Sequence, residues 1–425
     1  MSALIGVMFF VFLLAGMPIF LVLGLTALGL LQSDGAPLVL LVQKSLDELN
    51  TELLLSLPFF GMAASFMERG GTAKALVNFA AGWLGAVRGG LGVVAVAACA
   101  IFAAIAGSSV ATALAMGTLL VPLMLQRGYP APMSTGLLAS SATLGILIPP
   151  SLPMILFAIM AQESVPRLFL AGVVPGILLS LILAGYVLWI ARRDNLPAEP
   201  SHSMTDLMRV TVRALPALSI PVIIAVGIYG GFVTLTESAV LAALAAFFVG
   251  LFVYRGFKIS ESVEVSFVAT KSAASIIIII AMALTFGHWI TVSGFTGKLV
   301  DIVTSWDLTA IQFLLGLNVL LFILGMFLEV TSVMLLLVPI LVPMLKPLGI
   351  DPVHFCVVLV VNMEIAMITP PVGLNLFVIS SVSKVSLKEV VKGIWPMVLL
   401  FIGFLLLITW FPAISLWLPN LLLGS

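Results

Sequence analysis

Gly145-Ile146-Leu147-Ile148-Pro149-Pro150-Ser151 returns later in the chain as Ala366-Met367-Ile368-Thr369-Pro370-Pro371-Val372-Gly373-Leu374-Asn375. The offset is 221 residues (370 − 149 = 221). Two adjacent prolines remove two amide donors and push the residues before them out of the helical region. The carbonyls of Gly145, Ile148, Ala366 and Thr369 are then expected to lose their partners. In hydrocarbon such groups need a cation or another polar group. Helix restarting after each break would offer free amides and a positive dipole end, suited to an anion. A kink that merely shapes a bundle is the plainer reading of one proline; duplication with flanking Ser, Thr and Asn weakens it.

The repeat extends outward from these breaks. Pro122, Gly128, Pro149, Pro150, Gly172 and Pro175 recur, without a gap, as Pro343, Gly349, Pro370, Pro371, Gly393 and Pro396. Six of the nine Gly or Pro residues in 343–396 therefore match in type and position, where chance would align about two (12 × 9 ÷ 54). Two copies of one helix-breaking pattern in an apolar chain describe a secondary transporter.

Composition sets the solvent. Of 425 residues 62% are hydrophobic and 8% charged, against about a quarter charged in soluble domains. Apolar stretches of spanning length recur from 4–31 through 394–418, so a polytopic all-α membrane protein is expected. The N-terminus lacks a basic region and a cleavage site, and is read as a retained helix. Cys99 and Cys356 lie in apolar runs and read as small buried side chains. Zero net charge points to no nucleic-acid partner. No phosphate-binding loop, H-E-x-x-H motif or histidine cluster occurs; neither ATP hydrolysis nor enzymatic catalysis is expected.

The organisation follows as an N-terminal repeat (1–191), a polar cytoplasmic linker (192–213) and a C-terminal repeat (214–425). Scaffold helices are placed at 1–88 and 214–309, with a hairpin and a broken helix at 89–191 and 310–425. The linker carries Arg192, Arg193, Arg209 and Arg213, which favour the inside. Loop 163–167 is neutral, whereas 384–392 holds Lys384, Lys388 and Lys392 against Glu389. Opposite sides for equivalent loops mean inverted repeats, with both termini outside. Segment 34–58, with Asp47, Glu48 and Glu52, reads as an amphipathic arm on the membrane surface.

Ala106-Gly107-Ser108-Ser109-Val110-Ala111-Thr112 splits an apolar run into 90–106 and 110–126. Each piece is short for a crossing, so a re-entrant hairpin with its tip at Gly107–Ser109 is expected. Its hydroxyls and freed carbonyls are hard oxygen ligands for a small cation; close helix packing is the alternative. The counterpart is Glu329-Val330-Thr331-Ser332. Glu364, like Glu329, could ligate a cation, carry a proton or orient an amide. His288 reads as interfacial.

The runs GSSVATALAMGTLLVPLMLQRGYP, GILIPPS, LFLAGVVPG and ITPPVGLNLFV resemble the large membrane subunit, DctM type, of tripartite ATP-independent periplasmic (TRAP) transporters, across essentially the whole chain. The resemblance implies an elevator-type fold akin to the ion transporter superfamily. It implies sodium-driven uptake of an organic anion, such as a C4-dicarboxylate or sialic acid, across the bacterial inner (cytoplasmic) membrane. The implied partners are a periplasmic substrate-binding protein (DctP type) and a small four-helix membrane subunit (DctQ type), the latter expected as a separate chain. A self-sufficient sodium- or proton-coupled symporter is the alternative. One sodium site is implied at Ser108, Ser109, Gly145, Ile148 and Pro150, and a second at Gly325, Glu329, Thr369 and Gly373. Ser151, Thr331, Ser332 and Asn375 are candidate substrate ligands. Sodium is the coupling ion, and no cofactor is expected.

Overall fold

Proline and glycine punctuation divides the chain into helices. A computed structural model describes residues 8–424 except 10, 14, 34, 36, 38, 40, 41, 44, 45, 47, 48 and 199–202. Among the described residues the regular structure is helical, apart from an isolated bridge between Arg88 and Ala198. Among the described residues seven helices are long and apolar enough to cross a membrane; the chain is a multi-pass membrane protein.

In the first half the helices are α1 (Ile19–Ser33), α2 (Glu52–Arg69), α3 (Thr72–Leu84), α4 (Gly90–Ala106), α5 (Ser109–Gln126), α6 (Ala131–Leu147), α7 (Leu152–Ala161) and α8 (Val165–Arg193). The second half holds α9 (Met204–Tyr229), α10 (Leu235–Phe248), α11 (Ser262–Val292), α12 (Phe295–Ser305), α13 (Ala310–Gly325) and α14 (Val330–Leu345). It ends with α15 (Pro352–Met367), α16 (Leu374–Ser383), α17 (Leu387–Trp410) and α18 (Ala413–Leu423). The repeat offset reappears in the element starts: α5 and α14 begin 221 apart (330 − 109), as do α6 and α15 (352 − 131). Local chemistry sets these starts. Asp351 accepts the Val353 N–H at 2.7 Å ahead of Pro352, and Thr309 and Gln312 form a capping box on α13.

The copies are inverted. Gly117 of α5 faces Ile379 and Val382 of α16, and Gly136 of α6 meets the backbone of Gly393 on α17. The turn after α16 therefore shares a membrane side with the α5–α6 turn. On the other side, burial and the nearby charge of Asp351 hold the Glu163 carboxyl above the usual carboxylate range, with Arg167 opposing. The turn after α7 thus lies with the α14–α15 turn. Equivalent turns pair crosswise, which only opposed copies allow. Arg167 also holds the C-terminal helix there, donating to Asn420 Oδ1 at 2.6 Å and to the Gly424 carbonyl at 2.8 Å.

Three sequence expectations shift. The last seven residues of the 34–58 arm are instead the start of α2, because Leu54, Leu57 and Phe60 form a helical stripe buried against neighbouring helices that include α10. Asp47 and Glu48 lie outside the described residues. The 4–31 helix is interrupted at Gly16-Met17-Pro18, where Gly16 has φ +75°. Finally, 204–213 is not linker but the first turns of α9. Ser203 caps it by accepting the Asp206 N–H at 3.2 Å, and Leu207 and Val210 pack on Gly82 of α3.

α6 is buried from Ser134 to Leu147 despite its hydroxyls. Ser134, Thr135, Ser140 and Thr143 each donate to a carbonyl one turn back, at 2.8–3.0 Å, so most of its buried hydroxyls stay satisfied. Against this helix the Gly136–Gly393 approach leaves no room for a side-chain carbon. Gly136→Leu should cost about 1–3 kcal/mol or more through overpacking, read as a lowered unfolding temperature in detergent. Gly185→Ala, with nothing within 4 Å of the added carbon, should leave it unchanged.

Candidate functional site

The tip of the first hairpin is built by two conformations that helix cannot supply. Gly107 closes α4 in the left-handed region (φ +60°), and Ser108 opens α5 in extended conformation. The Ser108 hydroxyl accepts the Ala111 N–H at 3.4 Å, and its carbonyl accepts the Thr112 hydroxyl at 2.9 Å. A side-chain carbon on Gly107 would sit 2.7 Å from the Pro150 carbonyl oxygen, so the tip rests directly on the first Pro-Pro break. Leu152, which would serve the Ile148 carbonyl in an unbroken helix, donates its N–H to the Gly107 carbonyl at 3.3 Å. Pro149 has no N–H to give Gly145. Ser151 donates to the Ile146 carbonyl at 2.5 Å and caps α7 by accepting the Met154 N–H at 3.4 Å.

Gly145 belongs to the same junction. A carbon added there would lie 2.6 Å from the Ser108 carbonyl oxygen and 2.8 Å from Thr112 Oγ1. Ser108, Ser109, Gly145 and Pro150 are thus brought together, while half-buried Ile148 closes α6 with its N–H on the Leu144 carbonyl at 2.9 Å.

The second copy repeats the plan with other ligands. Glu329 is the N-cap of α14 and makes no capping bond; its Oε1 accepts the Thr331 hydroxyl at 3.2 Å. Gly325 lies against Ala366 and Met363, and Gly373 (φ +49°) closes on the Thr369 carbonyl. The Thr369 hydroxyl donates to the Ile365 carbonyl at 2.7 Å. One expectation fails here: the Ala366 carbonyl keeps a partner, the Thr369 N–H at 3.2 Å. The backbone before Pro370 tightens into a turn that recovers the bond.

Sequence reasoning expected two related cavities, and the structure joins their tips in one. A cavity of about 110 Å³ is lined by Ser108, Ser109, Glu329 and Thr331, with Ile146, Leu152 and Met367 from the broken helices. Its walls are symmetry mates: Ser108 and Glu329 (329 − 108 = 221), Val110 and Thr331 (331 − 110), Ile146 and Met367 (367 − 146). The cavity therefore straddles the pseudo-twofold axis. Helices α5, α7 and α14 all start on its wall, and Glu329 is its one charged side chain.

Ser151, Ser332 and Asn375 are buried and are not among its walls. Asn375 instead ties the copies together, donating to Ser109 Oγ at 2.7 Å and to the Ala139 carbonyl at 3.1 Å. Sequence reasoning did not single out Thr112 or the buried chain Thr409–Asn318–Asn362, in which Asn318 Nδ2 donates to Thr409 Oγ1 at 3.2 Å and Asn362 Nδ2 to the Asn318 carbonyl at 2.9 Å. Isolated amides in apolar helices were the available signal. Glu237, an acidic residue in an apolar setting, closes a capping box with Thr234.

Residues 6–414 match the family "Tripartite ATP-independent periplasmic transporter, DctM component". The chain belongs to this family. It is 43% identical to the C4-dicarboxylate TRAP transporter large permease protein DctM of Pseudomonas aeruginosa, over 86% of each chain. It is 38% identical to the protein of the same name from Rhodobacter capsulatus, over 96% of this chain and 97% of that one. An isethionate TRAP transporter permease protein DctMQ of Oleidesulfovibrio alaskensis is 36% identical, with 65% of its length matched. In fold the DctM chain resembles the Alcanivorax borkumensis YdaH transporter, with TM-score 0.67, 15% identity and coverage of 89% and 88% of the two chains.

The Asn375–Ser109 bond is testable by a double-mutant cycle. Asn375→Leu should cost about 1–3 kcal/mol by leaving buried groups unpaired. Combination with Ser109→Ala should cost less than the sum, a coupling of about 0.5–3 kcal/mol in detergent unfolding. Additivity would mean that the bond contributes nothing.

Proposed function

We propose that this DctM chain is the permease of a sodium-driven importer for an organic anion, in a bacterial inner membrane. The carrying observation is the convergence of three helix N-termini on one cavity that contains a carboxylate and no basic side chain. Helix amides and dipoles favour an anion there, whereas Glu329 opposes one. A cation bound beside Glu329 removes that opposition. Sodium binding and anion binding then become mutually dependent, which is the coupling a symporter needs.

The two sodium sites are assigned to Ser108, Ser109, Gly145, Ile148 and Pro150, and to Gly325, Glu329, Thr369 and Gly373. The first set supplies hydroxyl and carbonyl oxygens, the ligands hard cations take. Thr331 holds the Glu329 carboxylate, and Ser151 and Asn375 hydrogen-bond the surrounding backbone. Helices α4–α8 and α13–α18 are assigned to a moving transport domain and the remaining helices to a scaffold. The basic ends near Arg192, Lys384, Lys388 and Lys392 lie on one side, consistent with a cytoplasmic face.

Relatives are named for C4-dicarboxylate, 2,3-diketo-L-gulonate and ectoine/5-hydroxyectoine transport. A small carboxylate is the substrate class we assign to this chain. A periplasmic binding protein would deliver it, and a small membrane subunit would complete the permease.

Ser108→Leu or Ser109→Leu should abolish sodium-driven uptake in reconstituted vesicles while the protein still purifies as a single species. Unchanged sodium dependence in both would remove the first site. Full-rate uptake of free substrate by the chain alone would instead support the self-sufficient symporter.

A further inference from the structure

One ionisable side chain at the centre of the molecule is left without a role. Glu364 is fully buried, and neither carboxyl oxygen has a hydrogen-bond partner. Helix α15 is buried along its whole length from Val353 to Met367. The hydroxyl of Thr143 on α6 faces the carboxyl, but its proton is committed to the Ser140 carbonyl at 2.8 Å. Thr143 therefore offers Glu364 a lone pair, not a proton.

Thr143 and Glu364 are repeat mates (364 − 143 = 221). Symmetry-equivalent residues that face each other lie on the axis relating the copies. The central cavity lies on this axis too, with the mates Ile146 and Met367 in its wall. Thr143 and Glu364 stand one turn before these wall residues, on the same faces of α6 and α15.

No neighbouring charge balances the carboxyl. Helices α6, α7, α13, α16 and α18, all packed on α15, contain no charged residue. The other packing partners carry charge only near their ends: Arg167, Arg192 and Arg193 on α8, Lys388, Glu389 and Lys392 on α17, and Glu329 and Lys346 capping α14. Lys384 caps α16. On α15 itself His354 stands ten residues back, near the capping Asp351, and Cys356 eight residues back. A bare carboxylate facing only lone pairs in such a setting is prohibitively costly. The neutral acid instead matches its surroundings, since its O–H can donate to Thr143 Oγ1.

We propose that Glu364 is a protonation site of the transport core, on the pseudo-twofold axis and exchanging its proton with the central cavity. It is distinct from the two sodium sites and rests on the transporter reading only for its role in the cycle. Deprotonation releases the proton to cavity water and leaves a negative charge that a cation entering by the same cavity would offset.

Infrared spectroscopy of the full chain in reconstituted bilayers tests this at pH 7, with and without sodium. A C=O stretch of a neutral carboxylic acid is expected, shifting on transfer to D₂O in at least one condition. It should vanish in Glu364→Gln and move in Thr143→Val, which removes the acceptor and assigns the band if the first variant does not fold. Absence of the band overturns the proposal, as does a band that persists in Glu364→Gln or that Thr143→Val leaves in place. A band that never exchanges marks a fixed structural proton and overturns it too. Uptake by Ser108→Leu reports only on the sodium sites, so its outcome is independent.

Discussion

The architecture depends on backbone that cannot be left unpaired at membrane depth. Every interruption of a helix frees amides and carbonyls that lipid cannot satisfy. The chain concentrates its interruptions at the Pro149-Pro150 break, its mate at Pro370-Pro371, and two hairpin tips, and brings these together in the interior. Gly107 shows how: its carbonyl takes the Leu152 N–H released by the first break, and its missing side chain admits the Pro150 carbonyl. Each defect supplies part of the repair of another.

Inversion turns this repair into a site. Opposed copies bring their hairpin tips to a shared axis, so residues 221 apart become neighbours across one cavity. Because the two copies differ in sequence, the walls are asymmetric: Ser108 faces the region of Glu329, and Thr143 faces Glu364. A symmetric backbone thereby carries unlike chemistry on its two sides. A carboxylate beside three helix N-termini places negative charge against positive dipole ends.

Packing serves the same geometry. α6 and α15, the central members of each copy, are buried almost throughout. Hydroxyls on α6 fold back onto their own helix, and glycines such as Gly136 and Gly145 let other backbone approach within contact distance. Asn375 adds a specific bond across the copies, connecting the second broken helix to the first hairpin.

The repeat, the helix breaks and the hairpin limits were legible in the residues, because proline and glycine act locally on backbone. The 90–106 helix followed from such signals alone. The arm at 34–58 and the linker at 192–213 were misjudged in part, since charged residues near Glu52 and Arg209 hid apolar stripes that only neighbouring helices reveal. Sequence by itself determined that the chain spans the membrane as two related copies of one broken-helix pattern, and which polar residues stand at the breaks. Only the tertiary structure decided that the tips share one cavity, that Asn375 reaches Ser109, and that Thr143 meets Glu364 on the axis. These contacts join residues about 221 or more apart, and no local propensity can specify which of them the fold will bring together.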